Sequence, residues 1–270
     1  MIQPQYLNLV NSSFLLWLDH LILDKGGGYT TVNTEFFPIG RTYNGLFTYA
    51  APYQPIICDS SIQLPPTGIY VNGNYYNRGE GGFVDFNYSK GQAYFSNKPN
   101  GIVSGSFSVA DINILPLNVS EDTLLFETKF DLRSRVNQSI SGLKSNTYTY
   151  PAMYVKCEYG KNEEFAFGGV DLSQVNVGVF LFCDSQYQLD AVKSILQDST
   201  HSYVPLLTAD KFPFNIYGGF KETGSNYNYN GIPLLADYIH YVPVGKSSRN
   251  SFFIGGEAGP VFQHYTEEFK

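Results

Sequence analysis

The chain has 270 residues, enough for one sizeable core or two smaller ones. Charged residues make up only 15% and the formal net charge is −7, so a dedicated nucleic-acid binder, which carries a basic patch, is not expected. Aromatic residues reach 16%, with 22 Tyr and 21 Phe, a bias that suits pleated sheet and also protein–protein contact.

The predicted elements begin with a helix. Pro4 stands where an early helical proline is tolerated. Leu7, Val10, Phe14, Leu18 and Leu21 recur at three- to four-residue spacing and form an apolar stripe. Gly26-Gly27-Gly28 ends it, because glycine enters the left-handed cap without a steric cost. Asn8, Asn11, Ser12, Ser13, Asp19 and His20 interrupt the segment, so it reads as neither signal peptide nor membrane span. The stripe is expected to pack on the chain's own sheet, a neighbouring subunit being the other reading.

Residues 29–68 read as extended and rich in loops. Strand signals strengthen from 69 to 115. Ile69-Tyr70-Val71, Asn72-Gly73 and Asn74-Tyr75-Tyr76 spell a two-residue hairpin, since Asn-Gly accepts the positive φ of a type I′ turn. A second hairpin runs from Phe83–Tyr88 through Ser89-Lys90-Gly91 to Gln92–Phe95. Asn100-Gly101 turns the chain again, after which Val103, Gly105, Phe107 and Val109 share one face. Between the hairpins lies RGEGG, residues 78–82. A phosphate-binding loop would need G-x-x-x-x-G-K-[ST] and a following helix. Here FVDFNY follows, alternating like a strand, so the glycines are read as a bend.

The polar stretch Arg133–Asn146 reads as a loop or arm. Val175–Phe182, VNVGVFLF, reads as a strand covered on both faces. Ser185 and Gln188 then have capping-box spacing, and Leu189, Val192, Ile195 and Leu196 carry a helical stripe near 185–198. Tyr238–Val244 and Ser251–Ile254 look like closing strands. The expectation is an α+β, β-dominated protein: an antiparallel β-sandwich or meander with an N-terminal amphipathic helix and a C-terminal strand-turn-helix α/β unit. Its regions are 1–28, 29–120 and 121–270, within one compact domain.

Chemical motifs are sparse. Cys58, Cys157 and Cys183 are too few and too scattered for a disulfide framework. His20, His201, His240 and His264 form no metal-ligand spacing, so neither metal nor cofactor is expected. Glu163-Glu164 and Glu121-Asp122 are adjacent pairs that point opposite ways on a strand. Cys183, between a buried strand and a helix, is the best position for an activated nucleophile, because a helix N-terminus lowers a thiol pKa. The opposing reading is a small buried thiol. Tyrosines beside Asn, Ser, Thr or Gly supply a candidate interface: Tyr75, Tyr76, Tyr88, Tyr148, Tyr150, Tyr227 and Tyr229, with Tyr94 of the same kind.

The run GIYVNGNYYNRGEGGFVDFNYSKGQAYFSNKPNGIVSGSFSVADINIL, with YPAMYVKCEYGKNEEFAFGGVD and VFLFCDSQYQLDAVKSILQD further on, resembles segments of virion structural proteins of tailed bacteriophages. The resemblance spans about residues 5–245 and carries no catalytic or ligand residue. It implies a non-enzymatic subunit of the virion, assembled in the host cytoplasm into a homo-oligomeric ring at the neck or tail. The layout is similar to tail-terminator and head–tail connector subunits, a likeness of fold alone. Its implied partners are copies of itself and other virion proteins, with passive contact to packaged DNA in a channel and no membrane. A carbohydrate- or receptor-binding module using exposed tyrosines is the alternative from another class.

Overall fold

A computed structural model describes residues 3–41, 45–117, 151–164, 171–183, 185–198, 202–207, 213–215, 218–221, 227–232, 239–242, 250–253 and 261–267. The first element is helix α1, Gln3–Gly26. Phe14, Leu18 and Leu21 of the expected stripe are buried, and Trp17, Ile22 and Leu23 are buried with them. The apolar arc is therefore wider than a single stripe, as befits a helix with neighbours on several sides. Gly27, at φ 56°, closes the helix, its N–H donating to the Leu23 carbonyl at 3.0 Å.

Strand β1, Tyr29–Arg41, is the longest of the first sheet. The others are β2 (Phe47–Ala50), β3 (Gly68–Val71), β4 (Asn74–Asn77), β5 (Phe83–Asn87), β6 (Gln92–Phe95) and β7 (Val103–Ala110). They form a seven-stranded sheet in the order β4-β3-β7-β1-β2-β6-β5, with every pair antiparallel. β1 pairs with β7 along Tyr29–Phe36 and with β2 along Phe37–Arg41, across an irregularity between Pro38 and Gly40. Bulges of this kind let one strand serve two halves of a curled sheet. The chain-consecutive strands β4 and β5 lie at opposite ends of the sheet order and are joined by RGEGG. The sheet thus curls until its ends nearly meet.

RGEGG is a bend, as its sequence requires. Gly79, Gly81 and Gly82 all have positive φ, and Gly79 N–H donates to the Phe83 carbonyl at 2.8 Å. At Gly81 a Cβ would stand 2.4 Å from Cδ1 of the Tyr76 ring, so the ring lies directly on the bare backbone. The Asn72-Gly73 hairpin has φ values of 50° and 80°, the signs of a type I′ turn. Inside the curled sheet the phenylalanines touch in sequence: Phe107–Phe36 at 5.5 Å, Phe36–Phe86 at 6.2 Å, Phe86–Phe83 at 4.9 Å and Phe83–Phe95 at 5.6 Å between centroids. Much of the aromatic excess is core.

The chain leaves this sheet after β7. β8 (Asn113–Pro116) runs parallel to β9 (Ala152–Glu164), which pairs antiparallel with β10 (Asp171–Cys183). β11 is Ser202–Pro205 and β12 is Ile239–Val242, and these two pair with each other. β13 (Asn250–Phe253) and β14 (Val261–Glu267) complete a sheet of order β13-β14-β10-β9-β8. β10 lies at its centre, with Val177, Val179, Phe180, Leu181 and Cys183 buried, as the continuous apolar run predicts. Helix α2, Gln186–Asp198, follows at once. Ser185 caps it by accepting Gln188 N–H at 3.3 Å, and Leu189, Val192 and Leu196 face the core. α1 rests on β8, β9, β11 and α2. One hydrophobic core runs through the curled sheet, α1, the second sheet and α2. The stretch 133–146 lies outside the described residues.

β9 and β10 are longer than the sheet that holds them. β8 pairs with β9 only along Ala152–Val155, and β14 pairs with β10 only along Val177–Cys183. Beyond those limits Glu158–Glu164 pair solely with Asp171–Asn176 among the described residues, across one irregularity between Ser173 and Val175. The result is a two-stranded ribbon about 20 Å long at ~3.4 Å per residue.

Candidate functional site

Asp19 and His20 are neighbours on α1 and so point about 100° apart. Each meets a different part of the molecule. His20 turns toward residues 59–61 and 227–231. Its Nδ1 lies 2.8 Å from Asp59 Oδ2. The other oxygen, Oδ1, accepts the Ser61 hydroxyl at 2.6 Å, the Ser61 N–H at 3.0 Å and the Tyr229 N–H at 3.1 Å. The Tyr229 ring stacks on His20 at 4.4 Å and 20°. Ser60 N–H donates to the Tyr227 carbonyl at 2.7 Å. Asp59 is only 2% exposed. Burial pushes its carboxyl up, but the bonds from His20, Ser61 and Tyr229 outweigh this and hold it below the usual range.

Serine, histidine and aspartate meet here, but not as a hydrolytic triad. In a triad the hydroxyl sits at the ring nitrogen opposite the aspartate. Ser61 Oγ instead donates to the carboxylate and lies 3.4 Å from the same Nδ1. The cluster is a lock joining α1, the 56–62 segment and a 3-10 turn at Tyr229–Gly231. Nothing local signals it, because the partners are 39 and 170 residues apart in sequence.

A second lock surrounds Asp85, 4% exposed. Its Oδ2 accepts Asn215 Nδ2 at 2.6 Å and lies 3.1 Å from the Arg78 guanidinium. Arg78 also donates to the Phe220 carbonyl. Burial nevertheless leaves the carboxyl above its ordinary value, against the pull of Asn215 and Arg78. The arginine of RGEGG therefore clamps residues 213–215 and 218–221 onto the curled sheet.

Asp19 faces to the side of the His20 lock, into a cavity of about 340 Å3 among α1, residues 54–58, Tyr88-Ser89, residues 110–115 and Phe214. Leu16, Leu23, Ile56, Ile57 and Ile114 make much of its wall. Asp19 forms no hydrogen bond or ion pair among the described residues. Burial first, then the nearby Asp59 charge, raises its carboxyl to about 7, with His20 opposing. Cys58 lines the same cavity, and burial, Asp19 and Asp59 push its thiol well above the ordinary value.

The other sequence candidates divide. Tyr75 is exposed and Tyr76 half-buried over Gly81. Tyr88, Tyr94, Tyr227 and Tyr229 are buried, which corrects their reading as exposed contact residues. The Tyr88 hydroxyl donates to the Pro66 carbonyl at 2.9 Å, and its ring packs on Phe86 and Phe220. The Tyr94 hydroxyl, buried beside Asn87, donates to Gln92 Oε1 at 3.2 Å. Tyr227 and Tyr229 sit in the His20 lock. Asn, Ser and Gly beside these rings mark turns, and the rings fold inward from them. Tyr148 and Tyr150 lie outside the described residues. Tyr70, not singled out by sequence, is 42% exposed and meets Tyr75 edge-to-face at 5.0 Å.

Cys183 is fully buried at the end of β10, and so offers no accessible nucleophile in this conformation. The Cys157 thiol donates to Asn11 Oδ1 at 3.4 Å and is pushed up to about 12 by burial. Among the described residues no three His, Cys, Asp or Glu side chains converge as metal ligands. No described helix is long and apolar enough to cross a membrane. No protein-family model, no curated protein and no solved structure matches the chain.

Proposed function

We propose that the chain is a structural subunit of a tailed-phage particle, assembling into a ring at the neck or tail in the manner of a tail terminator or head–tail connector. The observation that supports this reading is the β9–β10 ribbon. Two strands without further partners are marginally stable in water, and this pair has two outer edges free of ladder bonds among the described residues. Open edges of that kind accept a strand from another chain. In a cyclic oligomer each ribbon would meet a neighbouring copy through a heterologous, repeating contact that closes. The low charge of the chain, 15%, fits a surface much of which is covered in an assembly. Other virion proteins above and below the ring are the remaining partners, and packaged DNA would pass its channel without sequence-specific contact.

The test shortens the ribbon and removes, among the described side chains packed on the core, only the partly buried Val175. Replacing residues 159–175 by Asn-Gly joins Glu158 to Asn176, which already face each other in register, through a two-residue turn. The parent should sediment as an oligomer and the shortened chain as a folded monomer. An unchanged oligomer after shortening would remove the ribbon's role.

The exposed pair Tyr70 and Tyr75 favours a second reading, a carbohydrate- or receptor-binding module. Glycan-array binding by the parent that disappears in Tyr75→Ala would support it, and a blank array would exclude it.

A further inference from the structure

We propose that the cavity beneath α1 is a binding site for a small ligand that joins an aliphatic body to an ammonium group. The hollow measures about 340 Å3, toward the small end of ordinary small-molecule sites. Leucine and isoleucine side chains of α1, residues 56–57 and β8 supply its apolar wall. Asp19 is the one acidic side chain among the described lining residues, and no lysine, arginine or histidine lines the cavity with it. Its carboxylate has no direct hydrogen-bond or ion-pair partner among the described residues, and His20 acts on it only through space. Asp19 is half-buried at the cavity wall, and a carboxylate there without a protein partner is an open acceptor for a ligand cation with several N–H donors.

Charge decides the ligand class. An anion would meet Asp19 with no cationic side chain in the lining, and Asp59 lies close enough to raise the Asp19 carboxyl further. A neutral alkane body would fill the apolar wall and leave the carboxylate bare. An alkylammonium satisfies both parts at once: methylenes against Leu16, Leu23, Ile56 and Ile114, and N–H donors on Asp19. The site is independent of the ring assembly, since no ribbon residue lines it.

Calorimetry on the full chain with three probes of equal length tests this. n-Octylammonium should bind about tenfold more tightly than n-octanol, the ordinary advantage of a charge-assisted hydrogen bond, and n-octanoate should not bind. Asp19→Asn should reduce the preference for the ammonium over the alcohol to about twofold or less. Leu16→Trp, which fills space without changing charge, should weaken both probes together. A variant that no longer melts cooperatively is replaced by a pH series on the parent. There the ammonium-to-alcohol ratio should rise from about pH 5.5 to about pH 8 as Asp19 ionises, with Asp59, His20 and Cys58 the titratable groups beside it. Equal binding of octanol and octylammonium, binding of octanoate, a flat pH series, or a preference kept in Asp19→Asn would each overturn the proposal. So would binding of a lysine-rich peptide by a chain that ignores octylammonium.

Discussion

Asp59→Ala removes the carboxylate that holds α1, the 56–62 segment and the Tyr229 turn together. Four hydrogen bonds are lost: from His20, from the Ser61 hydroxyl and N–H, and from the Tyr229 N–H. His20 and Ser61 are only part-buried, so water reaches them and their net loss is small. The Tyr229 N–H is in a buried setting, and an orphaned buried donor costs about 1–3 kcal/mol. Adding the space left by the carboxylate gives about 3 kcal/mol in total. Unfolding entropies near 2.1 cal/mol/K per residue turn that into a fall of about 5 °C in Tm for a chain of this length. Asp59→Asn keeps an oxygen for Ser61 and Tyr229 and should cost only about 1 kcal/mol. Thermal melts followed by circular dichroism at neutral pH measure both. The pH dependence has a fixed sign. A carboxyl lowered on folding stabilises above its unfolded value near 4 and loses that contribution as the pH falls through its folded value. The gap between the parent and Asp59→Asn should therefore shrink in acid. A Tm for Asp59→Ala within 1 °C of the parent, or equal to that of Asp59→Asn, would refute the lock.

Three further outcomes follow from other sites. Asp19 is raised on folding, so the folded chain holds its proton between about pH 4 and about pH 7, and its ionisation opposes folding more as the pH rises. Asp19→Asn should accordingly stabilise the chain by about 2 kcal/mol at pH 8, allowing for partial exposure, and leave it unchanged near pH 4 in urea titrations. Gly81→Ala forces a Cβ against the Tyr76 ring at a φ of 56°, and urea unfolding should show a loss of about 2 kcal/mol. Thiol titration of the native chain at neutral pH should find Cys183, Cys157 and Cys58 slow to react, and all three should react promptly in denaturant.

Elements whose causes are local were legible in the sequence. Asn72-Gly73 makes its own turn, Ser185 caps α2 three residues from Gln188, and VNVGVFLF announces a central strand without reference to anything distant. RGEGG was legible as a bend for the same reason, although its place as the joint between the two ends of the curled sheet was not. That depends on β7 and β1 inserting between β3 and β2. The site was largely hidden. His20, Asp59 and Tyr229 carry no shared spacing, and Asp19 looks like any polar residue on a helix until the cavity forms beside it. The tyrosines misled because a ring next to Asn or Gly shares its neighbours with surface turns, whether it points out or in. Tyr88 and Tyr229 point in.

The central claim is assembly through the β9–β10 ribbon. Negative-stain imaging of the purified full chain, with its mass measured by light scattering, tests it most directly. Closed rings are expected, and they should become monomers when residues 159–175 are replaced by Asn-Gly. A chain that stays monomeric at high concentration and shows no affinity for phage particles would contradict it.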